Sequence, residues 1–443
     1  MKWNSIILMV CTAQAIFFLL QKTNVLPLYS INGAGSFDNI AGFASCLVLG
    51  LPIGENLLRN GTSLQKWIVI TSKVVCIIAI VWAHSRAGIL CVILWLFLLY
   101  SPRNKQKWLF VLVPLLIVGL LFYKSDSSKG RWFILQRSYE MIAEHPLLGW
   151  GQGGFKAHYM DWQADYFQQN PASPFAMLAS NIHHPLNEWL AITIDFGIIG
   201  LIVVTILFLC TLSYAERHPS NLSQMGKHII ILLALFSFFS YPFQYPFTWI
   251  MMVWGALAIY HVPIYRHIKI CSVMIITLVL LGGFHLYSQW RDETMLEKLY
   301  EKTNLGLYDK AMPKYQELYP QHKRDCQFLF YYASNLHLKG QEQLALQKAM
   351  LCKSYLADYE LSLLFGDIYR GMRCKDSALF YYQRAHYMCP SRISPLYEMF
   401  NVYRDYEDKA GCIRLKSIIL HKNIKIESKE TNRIIQEVAN DCE

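Results

Sequence analysis

The sequence predicts an all-α protein, in which a polytopic bundle of about nine transmembrane helices precedes an α-helical repeat domain. The mean hydropathy of the 443 residues is +0.24, which is too apolar for an ordinary soluble chain. Apolar runs of spanning length recur as far as residue 288, and the sequence then becomes polar and rich in helix-forming residues. We therefore divide the chain into a membrane domain, 1–288, and a helical domain, 289–443.

Nine apolar runs are candidates for membrane spans because of their length and their low charge. They cover approximately residues 3–20, 39–57, 66–84, 87–101, 108–123, 188–213, 228–243, 246–263 and 268–288. The first run lacks a convincing signal-peptide cleavage site, so we expect it to be retained as a helix. Residues 124–187 form one long loop between the spans.

Lysine and arginine in the short loops indicate which side of the membrane each loop faces. If the N-terminus is inside, the inside loops carry basic clusters such as Arg103, Lys105 and Lys107, and the short outside turns carry few. The loop 124–187 and the helical domain then lie outside. This topology explains the formal charge of +10 better than nucleic-acid binding does, because no basic stripe interleaved with aromatic residues is found.

The twelve cysteines include no Cys-x-x-Cys pair, which argues against a zinc or thioredoxin-type site. Six of them follow residue 325, where they would form disulfides or serve as small core residues. Their spacing shows no disulfide framework, which favours the core.

Residues 183–188, His-His-Pro-Leu-Asn-Glu, stand where the long loop meets the apolar run 188–213. Imidazole, amide and carboxylate groups are costly to bury at the mouth of a span, so they are candidates for chemistry. Polar residues at a helix start also cap free backbone N–H groups. Spacing alone leaves both interpretations open.

This stretch and the residues after it resemble the signature of the O-antigen ligase and O-antigen polymerase family. That signature is His, then Asn, Ser or Gln, then nine residues, then Gly-x-x-Gly. Asn187 is followed by nine residues and then by Gly197 and Gly200. The family's histidine position holds Leu186. The candidate bases nearby are His183, His184 and Glu188.

Three further elements stand in the family's order. Residues 35–39, Gly-Ser-Phe-Asp-Asn, are similar to its Gly-(Ser/Thr)-Phe-x-Asn element, or are a turn that caps a helix through Asp38 or Asn39. Residues 85–88 are similar to its Ser-Arg-(Ala/Gly)-Gly element, and residues 145–155 resemble His-Pro-Leu-x-Gly-x-Gly-x-x-x-Phe. Arg131 occupies the position of the family's loop arginine.

The resemblance implies an enzyme of the bacterial inner membrane that transfers a glycan from an undecaprenyl-pyrophosphate carrier at the periplasmic face. The acceptor hydroxyl would belong to a lipid, another glycan or a protein, and no metal or cofactor is needed. Arg86 and Arg131 would bind the pyrophosphate and offset its developing charge. Asn187 would orient a reacting group, and His184, preferred over Glu188, would accept the hydroxyl proton. Members usually have more than nine spans, so missing ones would precede residue 1.

The alternative is a non-enzymatic membrane protein, either a scaffold that presents the helical domain or a transporter. A transporter should show broken helices and a repeated half. The sequence contains no such repeated half.

The helical domain contains an internal repeat that resembles the tetratricopeptide repeat. Small residues recur every 33–34 positions, at Ala311, Ala345, Ala378 and Cys412. The positions that fit the tetratricopeptide spacing are Gly366, Tyr369, Ala378, Tyr382, Ala385 and Pro390. Such helix pairs stack into a solenoid that binds a partner protein or caps the membrane domain.

In the long loop, residues 131–144 show an amphipathic helical pattern. Its apolar face consists of Trp132, Leu135, Tyr139 and Ile142, and we expect that face to lie on the membrane.

Overall fold

The structure is a computed structural model that describes residues 2–26, 34–100, 125–260, 291–425 and 427–440. These residues form helices without a β-strand among them, which confirms the all-α prediction. The predicted spans 108–123 and 268–288 lie outside the described residues.

The helices in chain order are α1 (Lys2–Lys22), α2 (Ile40–Asn60), α3 (Ser63–Trp82), α4 (Arg86–Tyr100), α5 (Ser125–Glu144), α6 (Gly154–Gln169), α7 (Glu188–Arg217), α8 (Asn221–Ser237), α9 (Pro246–Ile259), α10 (291–304), α11 (Tyr308–His322), α12 (Cys326–Leu338), α13 (Glu342–Lys353), α14 (Tyr359–Gly371), α15 (Lys375–Met388), α16 (Ser394–Asp405), α17 (Lys409–Leu420) and α18 (Lys429–Asn440). They fall into two compact units. The first unit holds α1–α4 and α7–α9, together with the loop residues Pro146–Leu148. The second unit holds most of α5, the loop residues Gly149–His183 with α6, and the C-terminal helices.

Among the described residues of the first unit, four helices are long and apolar enough to cross a membrane, namely α1, α2, α3 and α7. Two shorter helices, α4 and α9, are also apolar. These helices support a multi-pass membrane protein, and the count of nine spans stays a prediction.

Helix α2 forms the centre of the first unit. In its most apolar stretch 83% of the residues are buried, against 11% in α7. Its side chains pack with those of α1, α4 and α8, including Phe18, Phe43, Trp95 and Phe236. By contrast, α3 and α7 leave large apolar side chains exposed, such as Trp67 and Leu207. Apolar faces of this extent are typical of helices that contact lipid.

In the second unit the C-terminal helices follow one another as pairs joined by short turns. The recurring small residues Ala311, Ala345, Ala378 and Cys412 are each the fourth residue of α11, α13, α15 and α17, and all four are buried. Gly366 lies against the Tyr382 ring, because an added Cβ would stand 2.3 Å from that ring. Small residues at these positions let neighbouring helices approach closely, and the assignment to a tetratricopeptide-like solenoid stays a prediction.

The long loop packs on these C-terminal helices. Arg384 of α15 donates a hydrogen bond to Asp161 Oδ1 (3.0 Å) and also pairs with Asp165, both on α6. Gln163 donates to the backbone carbonyl of Met388 (2.6 Å). Most of the loop therefore groups with the C-terminal helices, and the domain boundary at residue 288 stays a prediction.

The predicted apolar face of α5 stays exposed in the described part of the chain. Trp132, Leu135 and Tyr139 are 56%, 41% and 71% exposed, whereas Phe133 on another side of the helix is buried. Phe133 packs against rings that include Phe167 and Phe175. Contact of the exposed face with a membrane stays a prediction.

The cysteines among the described residues are all free. Of the described cysteines after residue 325, three are buried (Cys352, Cys389 and Cys412), Cys326 is half-buried and Cys374 is exposed, so a core role fits three of them.

Candidate functional site

Asn187 begins helix α7. Its extended backbone places it as the N-cap, and its side-chain oxygen accepts a hydrogen bond from the Leu190 N–H (3.0 Å). This contact satisfies one of the backbone donors that a helix start leaves free. The capping role that the sequence left open is therefore present, and any role in orienting a reacting group would be additional to it.

His184 and Glu188 lie side by side at this helix start. The His184 Nε2 atom is 3.7 Å from Glu188 Oε2, and the two side chains are 17% and 12% exposed. The other carboxylate oxygen of Glu188 accepts a hydrogen bond from the Phe243 N–H (3.1 Å). The structure thus brings together two of the three candidate bases.

The hydrogen bonds of His184 define its tautomer. The backbone N–H of Leu186 donates to His184 Nδ1 (3.0 Å). Because a backbone N–H can only donate, Nδ1 is the acceptor, and the neutral ring carries its proton on Nε2. The Nε2–H therefore faces Glu188, and the lone pair of the imidazole is already occupied.

Leu186, at the family's histidine position, has a left-handed backbone with φ of +58°. Such a conformation is uncommon for a residue with a Cβ and costs roughly 1–2 kcal/mol. It aims the Leu186 N–H back at His184, so this position contributes a backbone donor rather than a side-chain base.

Two tyrosines that the sequence analysis did not select extend the site. The His184 and Tyr241 rings lie 4.7 Å apart. Asn39 donates to the Tyr241 hydroxyl (3.3 Å) and also bonds the Tyr245 hydroxyl, which in turn donates to Asp38 Oδ1 (2.8 Å). Burial and the neighbouring Asp38 carboxylate raise the pKa of Tyr245.

Of the two residues offered as cap in the Gly-Ser-Phe-Asp-Asn element, Asn39 caps α2. Its side-chain oxygen accepts a hydrogen bond from the Gly42 N–H (2.9 Å). Through Tyr241, this element is joined to the ring of His184. Two sequence elements that lie about 145 residues apart therefore meet in one polar cluster.

Gly197 interrupts α7. It has φ of +66° and ψ of −169°, so the helix is broken there into two parts. The Ile198 N–H donates to the Pro146 carbonyl (2.8 Å), and an added Cβ on Gly197 would stand 2.1 Å from the Leu147 carbonyl oxygen. The His-Pro-Leu element of the loop thus docks onto the first glycine of the Gly-x-x-Gly element.

Arg86 is the first residue of α4, and it is half-buried. Ser85 Oγ accepts a hydrogen bond from the Gly88 N–H (3.2 Å), which caps the helix. Gly88 packs closely against Ile80, whose Cγ2 would stand 2.8 Å from an added Cβ. The serine and the glycine shape the helix start on which Arg86 stands.

Arg131 is a half-buried residue of α5 in the second unit, whereas Arg86, His184, Asn187 and Glu188 belong to the first unit. Among the described residues, no group of three or more His, Cys, Asp or Glu side chains forms a metal site.

His183, the third candidate base, pairs with a carboxylate of the second unit. Its Nε2 atom is 2.8 Å from Asp358 Oδ2, and Asn181 donates to the same oxygen (2.6 Å). Asp358 Oδ1 accepts from the Glu360 N–H (2.7 Å) and so caps α14. Burial opposes the charge of Asp358, but the hydrogen bonds from His183 and Asn181 outweigh it and lower its pKa.

We expect Asp358→Ala to release the end of the loop. The substitution removes a helix cap, worth about 1 kcal/mol, and two charge-assisted hydrogen bonds, worth roughly 1.5–3 kcal/mol each before solvent screening. Asp325 is the matched control, because it caps α12 at the position 33 residues earlier and, in the part of the chain that the structure describes, has no hydrogen bond to the loop. Hydrogen exchange of residues 175–183 should rise in the Asp358 variant and stay unchanged in Asp325→Ala.

The contact of Asp358 with His183 and Asn181 at the end of the loop should also depend on pH. Since the pKa of Asp358 is lowered in the folded chain, its contribution is present above the ordinary aspartate pKa and is lost as the pH falls through the folded value. The difference between wild type and Asp358→Ala should therefore shrink under acid. If the difference in hydrogen exchange between wild type and Asp358→Ala stayed unchanged under strong acid, the charge of Asp358 would not hold the end of the loop.

Part of the chain is similar to a known protein family. Residues 71–205 match a family model described as O-antigen ligase. This segment starts within α3 and ends within α7, so it contains Arg86, Arg131, the docked His-Pro-Leu element and the Gly197 break. A search of curated proteins finds no match.

The match supports a role in glycan ligation at a membrane, and it suggests an enzyme of the ligase or glycosyltransferase type. That family implies a lipid-linked glycan as substrate and association with the membrane. The apolar helices α1, α2, α3 and α7 agree with this class.

Proposed function

We propose that this chain is a metal-independent membrane glycosyltransferase that moves or polymerises a glycan from an undecaprenyl-pyrophosphate carrier onto an acceptor hydroxyl. The observation that carries the proposal is the pair His184–Glu188 at the start of a broken helix whose break falls inside the matched segment. The products would be surface polysaccharides such as lipopolysaccharide or capsule.

The reaction would be a direct displacement at the anomeric carbon of the donor glycan. The acceptor oxygen forms a bond to that carbon while the bond to the pyrophosphate oxygen breaks. Negative charge then develops on the pyrophosphate, and Arg86 and Arg131 would bind it with their planar guanidinium groups. The hydroxyl proton passes to a base of the protein.

We propose Glu188 as the base, in place of His184, which the sequence favoured. The imidazole lone pair of His184 already accepts the Leu186 N–H, and its Nε2–H faces the carboxylate. Glu188 keeps acceptor capacity beyond its bond from the Phe243 N–H. His184 would hold the carboxylate in place.

The orientation follows the distribution of basic residues in the loops. We place the N-terminus in the cytoplasm of a bacterium and the loop 124–187 in the periplasm. The C-terminal helices would lie there too, as a tetratricopeptide-like solenoid that positions the acceptor or a partner protein.

The break in α7 is a feature that transporters share. Here the Ile198 N–H freed by the break is paired with the loop carbonyl of Pro146. The break therefore serves to bind the loop at Pro146, and this role needs no transported ion.

Arg131→Ala and Arg86→Ala should abolish glycan transfer, while expression stays normal. Lysine at either position should recover little activity because it lacks the bidentate fork. Lys129→Ala is the matched control, since it removes a positive charge two residues from Arg131 on the same helix. The readout is the amount and length of surface glycan in cells that depend on this protein. Full activity of Arg131→Ala would remove the proposed role of that residue.

A further inference from the structure

A groove between α10 and α11 is lined mainly by cations. It encloses about 630 Å³. The charged residues that line it are Arg291, Lys298, Lys302, Lys310, Lys314 and Glu317. Five positive side chains thus face one negative side chain, while Met295 and Leu299 supply an apolar floor.

The sequence of α10 separates its charges onto different faces. Arg291, Lys298 and Lys302 are spaced by seven and four residues, so they project from one face of the helix. The acidic residues of the same helix fall on its other sides, at Asp292, Glu293, Glu297 and Glu301. The helix has no excess of basic over acidic residues. The groove is basic because the basic residues share the face that lines it.

Few of these cations are neutralised within the protein. Lys314 donates to Glu317 (2.6 Å), and Arg291 lies 3.6 Å from Asp292. Across the described residues, Lys298, Lys302 and Lys310 have no carboxylate within ion-pair distance. Three like charges around one concave surface attract an anion with several negative oxygens.

The position of the groove in the chain limits what can reach it. Only two residues separate Arg291 from the predicted span 268–288. At about 3.5 Å per extended residue, Arg291 then stands within roughly 10 Å of the end of that span. The phosphate groups of a bilayer lie near the ends of the spanning helices, and basic residues next to a span are attracted to them.

From these observations we infer that the groove binds the phosphate of an anionic lipid headgroup, with the cations on the phosphate and Met295 and Leu299 beneath the glycerol. This site is independent of the proposed glycosyl transfer. It would hold the first helix pair of the C-terminal domain against the membrane surface.

The test uses the purified full chain in a neutral detergent and measures binding of short-chain phosphatidylglycerol, with phosphatidylcholine of the same chain length as the neutral probe. The triple variant Lys298→Gln, Lys302→Gln, Lys310→Gln should bind phosphatidylglycerol about a hundredfold more weakly, since each cation contributes roughly a factor of five. Binding should also weaken with salt. A control variant with Lys323→Gln, Arg324→Gln and Lys409→Gln removes three exposed charges elsewhere in the same domain and should bind as wild type does.

Inorganic pyrophosphate distinguishes the sources of phosphate. Weak competition by pyrophosphate, with selective binding of phosphatidylglycerol over phosphatidylcholine, supports the lipid site. Tight binding of pyrophosphate with no preference between the two lipids would overturn it in favour of a soluble phosphate. Equal affinity of the wild type and the triple variant for phosphatidylglycerol would overturn the groove as a binding site altogether.

Discussion

Gly197→Ala is expected to undo the docking of the loop onto α7 and to leave little folded, active protein. The backbone of Gly197 has a φ of +66°, which is unfavourable for a residue with a Cβ. An added Cβ would also stand only 2.1 Å from the Leu147 carbonyl oxygen. Relief of the overlap separates the loop from Ile198 and Ile199, whose N–H groups donate to the Pro146 and Leu147 carbonyls. Backbone strain of about 1–3 kcal/mol and two lost hydrogen bonds of roughly 1–3 kcal/mol each give a total near 5 kcal/mol. The thermal midpoint of the purified protein measures this loss.

Gly151→Ala separates the two causes of that effect. Gly151 also has a left-handed backbone, with φ of +86°, but an added Cβ would meet nothing within 4 Å. We expect it to cost only the strain of about 1–2 kcal/mol. If both variants lost the same stability, the docking of the loop at Gly197 would contribute nothing.

Glu188→Gln is expected to reduce transfer by roughly 10²- to 10⁴-fold, the usual contribution of a general base. Glutamine keeps the size of the side chain and an oxygen that can accept the Phe243 N–H, so the fold should persist. The measurement is the initial rate of transfer at a fixed pH.

His184→Ala and His183→Ala are the comparisons that decide the base. Removing His184 takes away the imidazole that lies 3.7 Å from the Glu188 carboxylate and should cost about tenfold, or roughly 1.4 kcal/mol of electrostatic support. Removing His183 loosens the loop at Asp358 and leaves Glu188 and its contacts in place. Loss confined to His184→Ala, with an active Glu188→Gln, would instead make the imidazole the base.

The sequence predicted the parts of the site that depend on neighbours along the chain. The N-cap at Asn187 follows from a polar residue before an apolar helical run. A glycine inside such a run is also a local signal, and Gly197 meets that description. The recurring small residues predicted the paired C-terminal helices, because a spacing of 33–34 residues requires a repeated packing contact.

The contacts that shape the site are distant in sequence and could not be predicted in this way. Tyr241 lies 57 residues after His184, and no spacing rule connects the two rings. Asp358 could be predicted as a helix cap, like Asp325, but not as the partner of His183 and Asn181. The hydrogen bond that His184 Nδ1 accepts could not be predicted for a similar reason, since only the turn at Leu186 aims that backbone N–H at the ring.

The most direct measurement of the central claim is transfer by the purified full chain in liposomes that contain undecaprenyl-pyrophosphate-linked glycan and an acceptor with a free hydroxyl. We expect one undecaprenyl pyrophosphate to be released for each glycosidic bond formed, with inversion at the anomeric carbon, because the displacement is direct. Glu188→Gln and Arg131→Ala, reconstituted at the same density, should release almost none. An intact donor after prolonged incubation of folded wild-type protein with each of the three acceptor classes, lipid, glycan and protein, would contradict the proposed transferase.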